Sequence, residues 1–321
     1  MAMKSIPCLY WKRTFFASLV ALWLSFGCQS STSRTGEVTE TTTDSVDVYQ
    51  STTLTAPNTF TSGIEGPAVD QRGLLYAVNY DTAGTIGVVN AQGEASLFVT
   101  LPEGSIGNGI RFGPSGIMYV ADYKQHNVLS VDMNTRQITV LAHQSAMNQP
   151  NDLAITRSGI LFASDPNWAD ATGKLWRIAS DGTTTLLEEN MGTTNGVEVS
   201  PDDDKLYINE SVQRKVWVYD LSPEGNISNK QLLVQFDDFG MDGMRCDVEG
   251  NLYITRHGKG TIVKISPAGE VLREIPLTGA LPSNIAFGGD DGRTAYVTLQ
   301  DRGCIETFRV AQPGRAWAMQ P

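Results

Sequence analysis

Between residues 60 and 310 one pattern recurs six times, and it restricts the chain to one architecture. An apolar pair, a short polar turn carrying Gly or Asp, and a strand of Leu-Tyr type appear as PAVDQRGLLYAVNY, IRFGPSGIMYVADY, LAITRSGILFASDP, VEVSPDDDKLYINE, MRCDVEGNLYITRH and IAFGGDDGRTAYVTL. Each copy reads as two strands joined by a tight turn. The residues just before the apolar pairs are Glu65, Asn108, Asn151, Asn195, Asp242 and Asn284, spaced 42 to 47 residues apart.

A third strand follows each hairpin, such as KVWVYDL, and then a fourth, such as TTLLEE; no stretch carries a helical period long enough to count. Four short strands per unit, with a period in the forties, predict an all-β fold: a six-bladed β-propeller whose blades pack face to face. The sixth copy stops after its third strand. An open edge there would template aggregation, so the N-terminal strand DVYQSTTLT, near residues 48 to 55, is expected to complete the last blade and close the ring.

The first 27 residues are of another kind. Lys4, Lys12 and Arg13 precede the apolar run FFASLVALWL, which leads to Gly27-Cys28. That is a charged start, an apolar stretch too short for a comfortable span, and a small residue before a Cys. The segment resembles a bacterial lipoprotein signal, in which the Cys is lipidated and becomes the new N-terminus, although Phe26 is bulkier than the residue usual there. The alternative, an uncleaved anchor helix, also places the rest of the chain outside the cytoplasm. The expectation is an extracytoplasmic protein, periplasmic or at the cell surface, tied to a bacterial membrane by lipid at Cys28. Residues 28–47 are Ser/Thr-rich with almost no large apolar side chain and read as a tether, leaving 48–321 for the propeller.

A hydrophobic fraction of 41% is ample for a core in such a domain. Cleavage would remove three basic residues and take the formal charge from −11 to −14, which argues against nucleic acid or anionic lipid as a partner. Cys8 would leave with the signal, so Cys246 and Cys304 remain, and an extracytoplasmic pair permits a disulfide without requiring one. A monomer is expected.

In a propeller the innermost strand of each blade begins at one end of the central channel, so the six strand-start residues form a ring there. All six bear a carboxylate or carboxamide oxygen. Asn and Asp also serve turn geometry at strand starts, but Glu is a poor turn former, and six oxygen-bearing side chains converging on a channel suit a hard cation. Two carboxylates and two carboxamides would leave coordination positions open for substrate and water.

The segments Gly-Ile-Glu65-Gly-Pro, Pro-Asn151-Asp152-Leu, Asn195-Gly-Val and Asp242-Gly-Met, each followed by its hairpin, resemble the SMP-30/gluconolactonase/LRE family of six-bladed propellers over residues 60 to 310. The resemblance implies one divalent cation held by Glu65, Asn151, Asn195 and Asp242, calcium in the first place, with magnesium, manganese and zinc as alternatives. It implies an enzyme that hydrolyses small-molecule lactones or, in some branches, organophosphates. Asp242 would be general base or nucleophile, and Asp152 would hold its neighbour Asn151 in place. Some members carry an Arg shortly before the second ligand to grip sugar hydroxyls; here the stretch is Met147-Asn148-Gln149-Pro150, so sugar-lactone specificity is not expected.

The second strand of each blade returns to the ring end, so its exit loop also faces the channel mouth. Tyr123, Asp165, Trp168 and His257 lie on such loops, and with Asn108 and Asn284 they are candidates for contacting substrate or supporting the ligands. His257 would shuttle a proton. No HExxH, P-loop or Gly-x-Ser-x-Gly elbow is present. The expected activity is metal-assisted hydrolysis of a carboxylic ester. The competing expectations are a non-catalytic propeller that binds a protein or glycan partner and a strictosidine-synthase-like propeller without the metal set.

Overall fold

The structure is a computed structural model and describes residues 48–319. The expected signal segment, Cys28 and the tether lie outside the described residues. From residue 48 onward the chain forms six four-stranded antiparallel sheets in sequence order, the blades of a propeller. The innermost strands are Phe60–Val69, Gly107–Phe112, Leu153–Ile155, Thr194–Val199, Met244–Cys246 and Pro282–Gly288, and blades one to six are numbered from them.

Burial falls from the channel outward. The inner strand Thr194–Val199 of blade four is buried at every position, whereas the outer strand Ile227–Gln235 of the same blade is largely exposed. This is why the first hairpin of each repeat reads as nearly continuous apolar sequence and the fourth strand does not. Between blades one and two, Tyr76, Val78 and Ile86 pack against Ile110, Val120 and Leu129, with the Tyr76 ring edge-on to Phe98 at 5.0 Å. Burying such a side chain fully contributes about 1.5–3 kcal/mol, and truncating Leu129 to Ala would cost about 2–5 kcal/mol.

Near the channel the blades approach too closely for side chains. Gly66 has φ +58°, and a Cβ there would lie 2.1 Å from the Asn108 carbonyl oxygen of the next blade. A Cβ on Gly243 would fall 2.0 Å from the Asn284 side chain. The glycines that follow Glu65 and Asp242 therefore let neighbouring inner strands meet and bring their first residues together.

The ring closes as the repeat count requires. Thr52–Thr53 pairs antiparallel with Cys304–Arg309, Thr52 opposite Thr307 and Thr53 opposite Glu306, and supplies the sixth blade's fourth strand. Ser51 Oγ adds a hydrogen bond to Glu306 Oε2 at 2.7 Å. Beyond the last strand, the short helix Arg315–Ala318 lines a cavity with Val69, Phe112, Ile155 and Cys246, the inner-strand ends away from the ring. There Arg315 is buried, donating through Nε to the Ser200 carbonyl at 2.9 Å and through Nη2 to the Ile155 carbonyl at 3.1 Å. Cys246 and Cys304, left open by the sequence, are both buried free thiols.

Candidate functional site

Five of the six strand-start residues, Glu65, Asn108, Asn151, Asn195 and Asp242, line one cavity of about 510 Å³. The sixth, Asn284, is fully buried beside Glu65 and donates through Nδ2 to Glu65 Oε2 at 2.9 Å. Asn108 Nδ2 donates to the Asn151 carbonyl at 3.2 Å, and Asn195 Nδ2 to Ser211 Oγ at 3.0 Å. Asn108, Asn195 and Asn284 thus each spend a side-chain donor on the protein.

Three oxygens of the ring lack partners. Glu65 Oε1, Asn151 Oδ1 and Asn195 Oδ1 are buried and accept no hydrogen bond. Leaving a buried acceptor unsatisfied costs about 1–3 kcal/mol, and here three occur around one cavity with the Asp242 carboxylate. Burial, then the nearby Asp152 charge, push the Glu65 carboxyl up to about 8, against hydrogen bonds from Gly66 N–H and Asn284. Burial and the Glu65 charge raise Asp242 well above the usual carboxylate range, and a hydrogen bond from Asn195 only partly offsets them. A divalent cation would remove the unmet acceptors and the carboxylate repulsion together, so Glu65, Asn151, Asn195 and Asp242 fit such an ion. Among the described residues no group of three or more His, Cys, Asp or Glu side chains gathers as a metal cluster; the set here is two carboxylates with two carboxamides.

Below this level lies a buried charged hub. The Asp152 carboxylate accepts from Arg111 Nη2 at 3.2 Å, Arg245 Nη1 at 3.1 Å and Asn284 Nδ2 at 3.4 Å. It also accepts the backbone N–H groups of Leu153 at 3.0 Å and Val197 at 3.4 Å. Burial raises its carboxyl even so, with Arg111 pulling it back. One side chain therefore ties the inner strands of blades two to six and reaches Glu65 through Asn284.

At the mouth the structure brings some of the expected residues to the cavity and leaves others away from it. Trp168, 47% exposed, and His257 line the cavity, and His257 Nε2 lies 3.2 Å from Gln300 Oε1. Tyr123 and Asp165 do not line it. Tyr123 carries Lys124 Nζ 5.5 Å from its ring centroid. Asp165 is fully buried and accepts the N–H groups of Asn148 at 2.7 Å and Gln149 at 2.6 Å and the indole N–H of Trp176 at 2.9 Å. It fixes the loop that leads into Asn151.

Arg214, Phe239 and Met241 also line the cavity and were not anticipated. Phe239 and Met241 lie in the interval of 47 residues between Asn195 and Asp242, the longest of the five. That excess length was the one signal of an insertion at the mouth. Arg256, itself buried, holds the insertion by donating to Asp238 Oδ1 at 2.6 Å.

Comparison with known proteins bears on this arrangement. Residues 63–301 match the SMP-30/Gluconolactonase/LRE-like region family. A gluconolactonase of Zymomonas mobilis subsp. mobilis is 32% identical over 216 residues, 60% of each chain, and a 6-deoxy-6-sulfogluconolactonase of Pseudomonas putida is 30% identical over 160 residues, 45% of this chain and 55% of that one. The chain thus spans little more than half the length of these curated relatives. A solved structure described as a calcium-binding protein, regucalcin, from Agrobacterium tumefaciens superposes with a TM-score of 0.71 at 19% identity, covering 82% of this chain and 96% of the other, a likeness of fold. With the family match running across all six strand-start positions, the chain belongs to the SMP-30/Gluconolactonase/LRE-like family.

Proposed function

We propose that this protein is a divalent-metal-dependent lactonase, a hydrolase of cyclic carboxylic esters. The observation that carries the reading is the set of three unpartnered buried oxygens, on Glu65, Asn151 and Asn195, sharing a cavity floor with Asp242. Those four residues would hold the cation. All four donors are oxygens, which suits calcium, magnesium or manganese better than zinc. When bound, the cation supplies a Lewis acid that polarises the ester carbonyl.

The chain's own residues do the rest. Asp242, beside the cation's place on the cavity lining, has two routes open to it. It takes the proton of a water whose oxygen bonds to the carbonyl carbon, or it attacks that carbon itself and is released by water. In both the ring C–O bond breaks and the departing oxygen takes a proton, which His257 at the mouth is placed to exchange with solvent. A single turnover in ¹⁸O-water separates the two, since only attack by Asp242 puts label into its carboxylate. Trp168, Phe239 and Met241 offer an apolar wall for the ring carbons.

The lactonase names of two relatives support a sugar lactone as substrate. No Arg stands in the Met147–Pro150 stretch just before Asn151, yet Gln300, His257 and Arg214 at the mouth supply polar groups for sugar hydroxyls. The test is a lactone panel followed by pH-stat titration, before and after chelation, with cation added back and with Glu65→Gln and Asp242→Asn as controls. The reading expects hydrolysis that chelation abolishes and either substitution lowers by about 100-fold or more. Hydrolysis that survives chelation and both substitutions contradicts the metal dependence, and no hydrolysis of any lactone contradicts the activity.

A further inference from the structure

Arg214 sits in the cavity without a protein partner. Every other polar side chain of its loop is engaged. Glu210 accepts the Gly192 N–H at 2.8 Å, Ser211 accepts from Asn195 at 3.0 Å, and Gln213 accepts the Thr193 N–H at 2.8 Å and donates to the Ala171 carbonyl at 3.0 Å. Arg214 alone on this loop has no side-chain hydrogen bond or ion pair among the described residues, and its Nε is buried and unsatisfied.

The backbone holds it there. Arg214 N–H donates to the Glu210 carbonyl at 2.8 Å, its own carbonyl accepts the Phe236 N–H at 3.0 Å, and its φ of +59° lies in the left-handed region that non-glycine residues seldom adopt. Asp238 pairs with Arg256 at 2.6 Å and with Lys259 at 3.1 Å, while Glu65 and Asp242 occupy the cavity floor. In a protein with 35 acidic and 24 basic residues, an arginine left unpaired in a cavity is notable, because surface carboxylates are plentiful. Among the described residues Arg214 is also the only Lys or Arg lining this cavity.

We propose that Arg214 is a specificity-determining residue that binds an anionic group, a carboxylate or a phosphate, carried by the lactone substrate away from its reacting carbonyl. The inference rests on the lactone-hydrolase reading above and sharpens it: the substrate class is charged lactones. The planar guanidinium suits both anions, since it can present two parallel N–H donors to either. The cation on the floor would meet the ester carbonyl while Arg214, on the rim, meets the remote charge, so the two ends of the substrate are fixed independently.

The test uses matched pairs of lactones: γ-butyrolactone against its 5-carboxylate, and glucono-δ-lactone against its 6-phosphate. For each pair, the ratio of kcat/KM for the charged over the neutral member is measured in the full-length wild type, Arg214→Gln and Arg214→Lys. The wild type is expected to favour at least one charged member, Arg214→Gln to lower that ratio by about ten- to hundredfold, and Arg214→Lys to retain part of it. The arm that responds identifies carboxylate or phosphate. A wild-type preference for the neutral member of both pairs, or a charged preference that Arg214→Gln leaves in place, overturns the proposal.

Lactams provide the same comparison without turnover. Pyroglutamate and 2-pyrrolidinone, differing by one carboxylate, are titrated by ligand-observed NMR into calcium-loaded wild type and Arg214→Gln. Tighter binding of pyroglutamate that is lost in Arg214→Gln supports the anion site even if no lactone is hydrolysed. Equal binding of the two lactams, together with hydrolysis that ignores the charge, sinks the anion site while the hydrolase reading stands.

Discussion

Asn284 Nδ2 donates to Glu65 Oε2 at 2.9 Å across the seam between the last blade and the first, joining residues 219 positions apart. The bond occupies one carboxylate oxygen and leaves Oε1 free on the cavity side. Asn284→Ala removes this support and the contact to Asp152. Cation affinity is expected to weaken by about 10- to 100-fold, read by calorimetric titration; an unchanged affinity would mean that Glu65 is oriented by something else.

The pH dependence of stability carries the signature of the same pair. Glu65 has an ordinary value of 4.5 and is pushed up to about 8 in the fold, and Asp242 is raised in the same direction. The folded chain therefore holds these protons more tightly than the unfolded chain. Their contribution to stability is complete below the ordinary carboxylate values and is lost as pH climbs through about 8 for Glu65. Chelated protein should melt several degrees lower at pH about 8.5 than at about 5. Saturating cation should remove the drop, because metal binding strengthens as the carboxylates lose protons. Glu65→Gln without cation should flatten the Glu65 part of the profile. Scanning calorimetry checks all three.

Asp165 makes a separate case, since it supports the site without touching the cavity. Asp165→Ala strands the N–H groups of Asn148, Gln149 and Trp176. A loss of about 2–4 kcal/mol in urea unfolding is expected, with weaker cation binding as the loop leading to Asn151 loosens. Full stability in this variant would contradict the anchoring role.

Why Asp165 and Tyr123 were expected at the mouth explains what the sequence can and cannot convey. A repeat position places a residue at one end of a blade, because the period in the forties and the alternation of strands and turns are properties of the backbone. Which way its side chain turns depends on its neighbours: Asp165 is drawn to the unpaired N–H groups of the adjoining loop. Glu65, Asn151, Asn195 and Asp242 were legible because each begins an innermost strand, where convergence follows from the architecture. Arg214 lies on the exit loop after blade four's second strand, where the repeat fixes the loop but not which side chain enters the cavity, and Phe239 lies on an insertion whose course is set by local contacts such as Arg256 with Asp238. The closing strand was legible from a deficit, since a sixth copy with three strands needs a fourth.

Deleting the chain up to residue 55 should expose the Cys304–Arg309 edge. Lower melting temperature and concentration-dependent aggregation, followed by light scattering, are the expected outcomes. A truncated protein that stays soluble with an unchanged melting temperature would show that closure adds nothing to stability.

The central claim is that the Glu65, Asn151, Asn195 and Asp242 oxygens bind one divalent cation, and titration calorimetry tests it most directly. Calcium, magnesium and manganese are titrated into chelator-treated wild type, Glu65→Gln and Asp242→Asn. The account predicts one site per chain for at least one of these ions, weakened about 100-fold or more by either substitution. No binding of any of the three ions, or equal affinity in wild type and both variants, would contradict it.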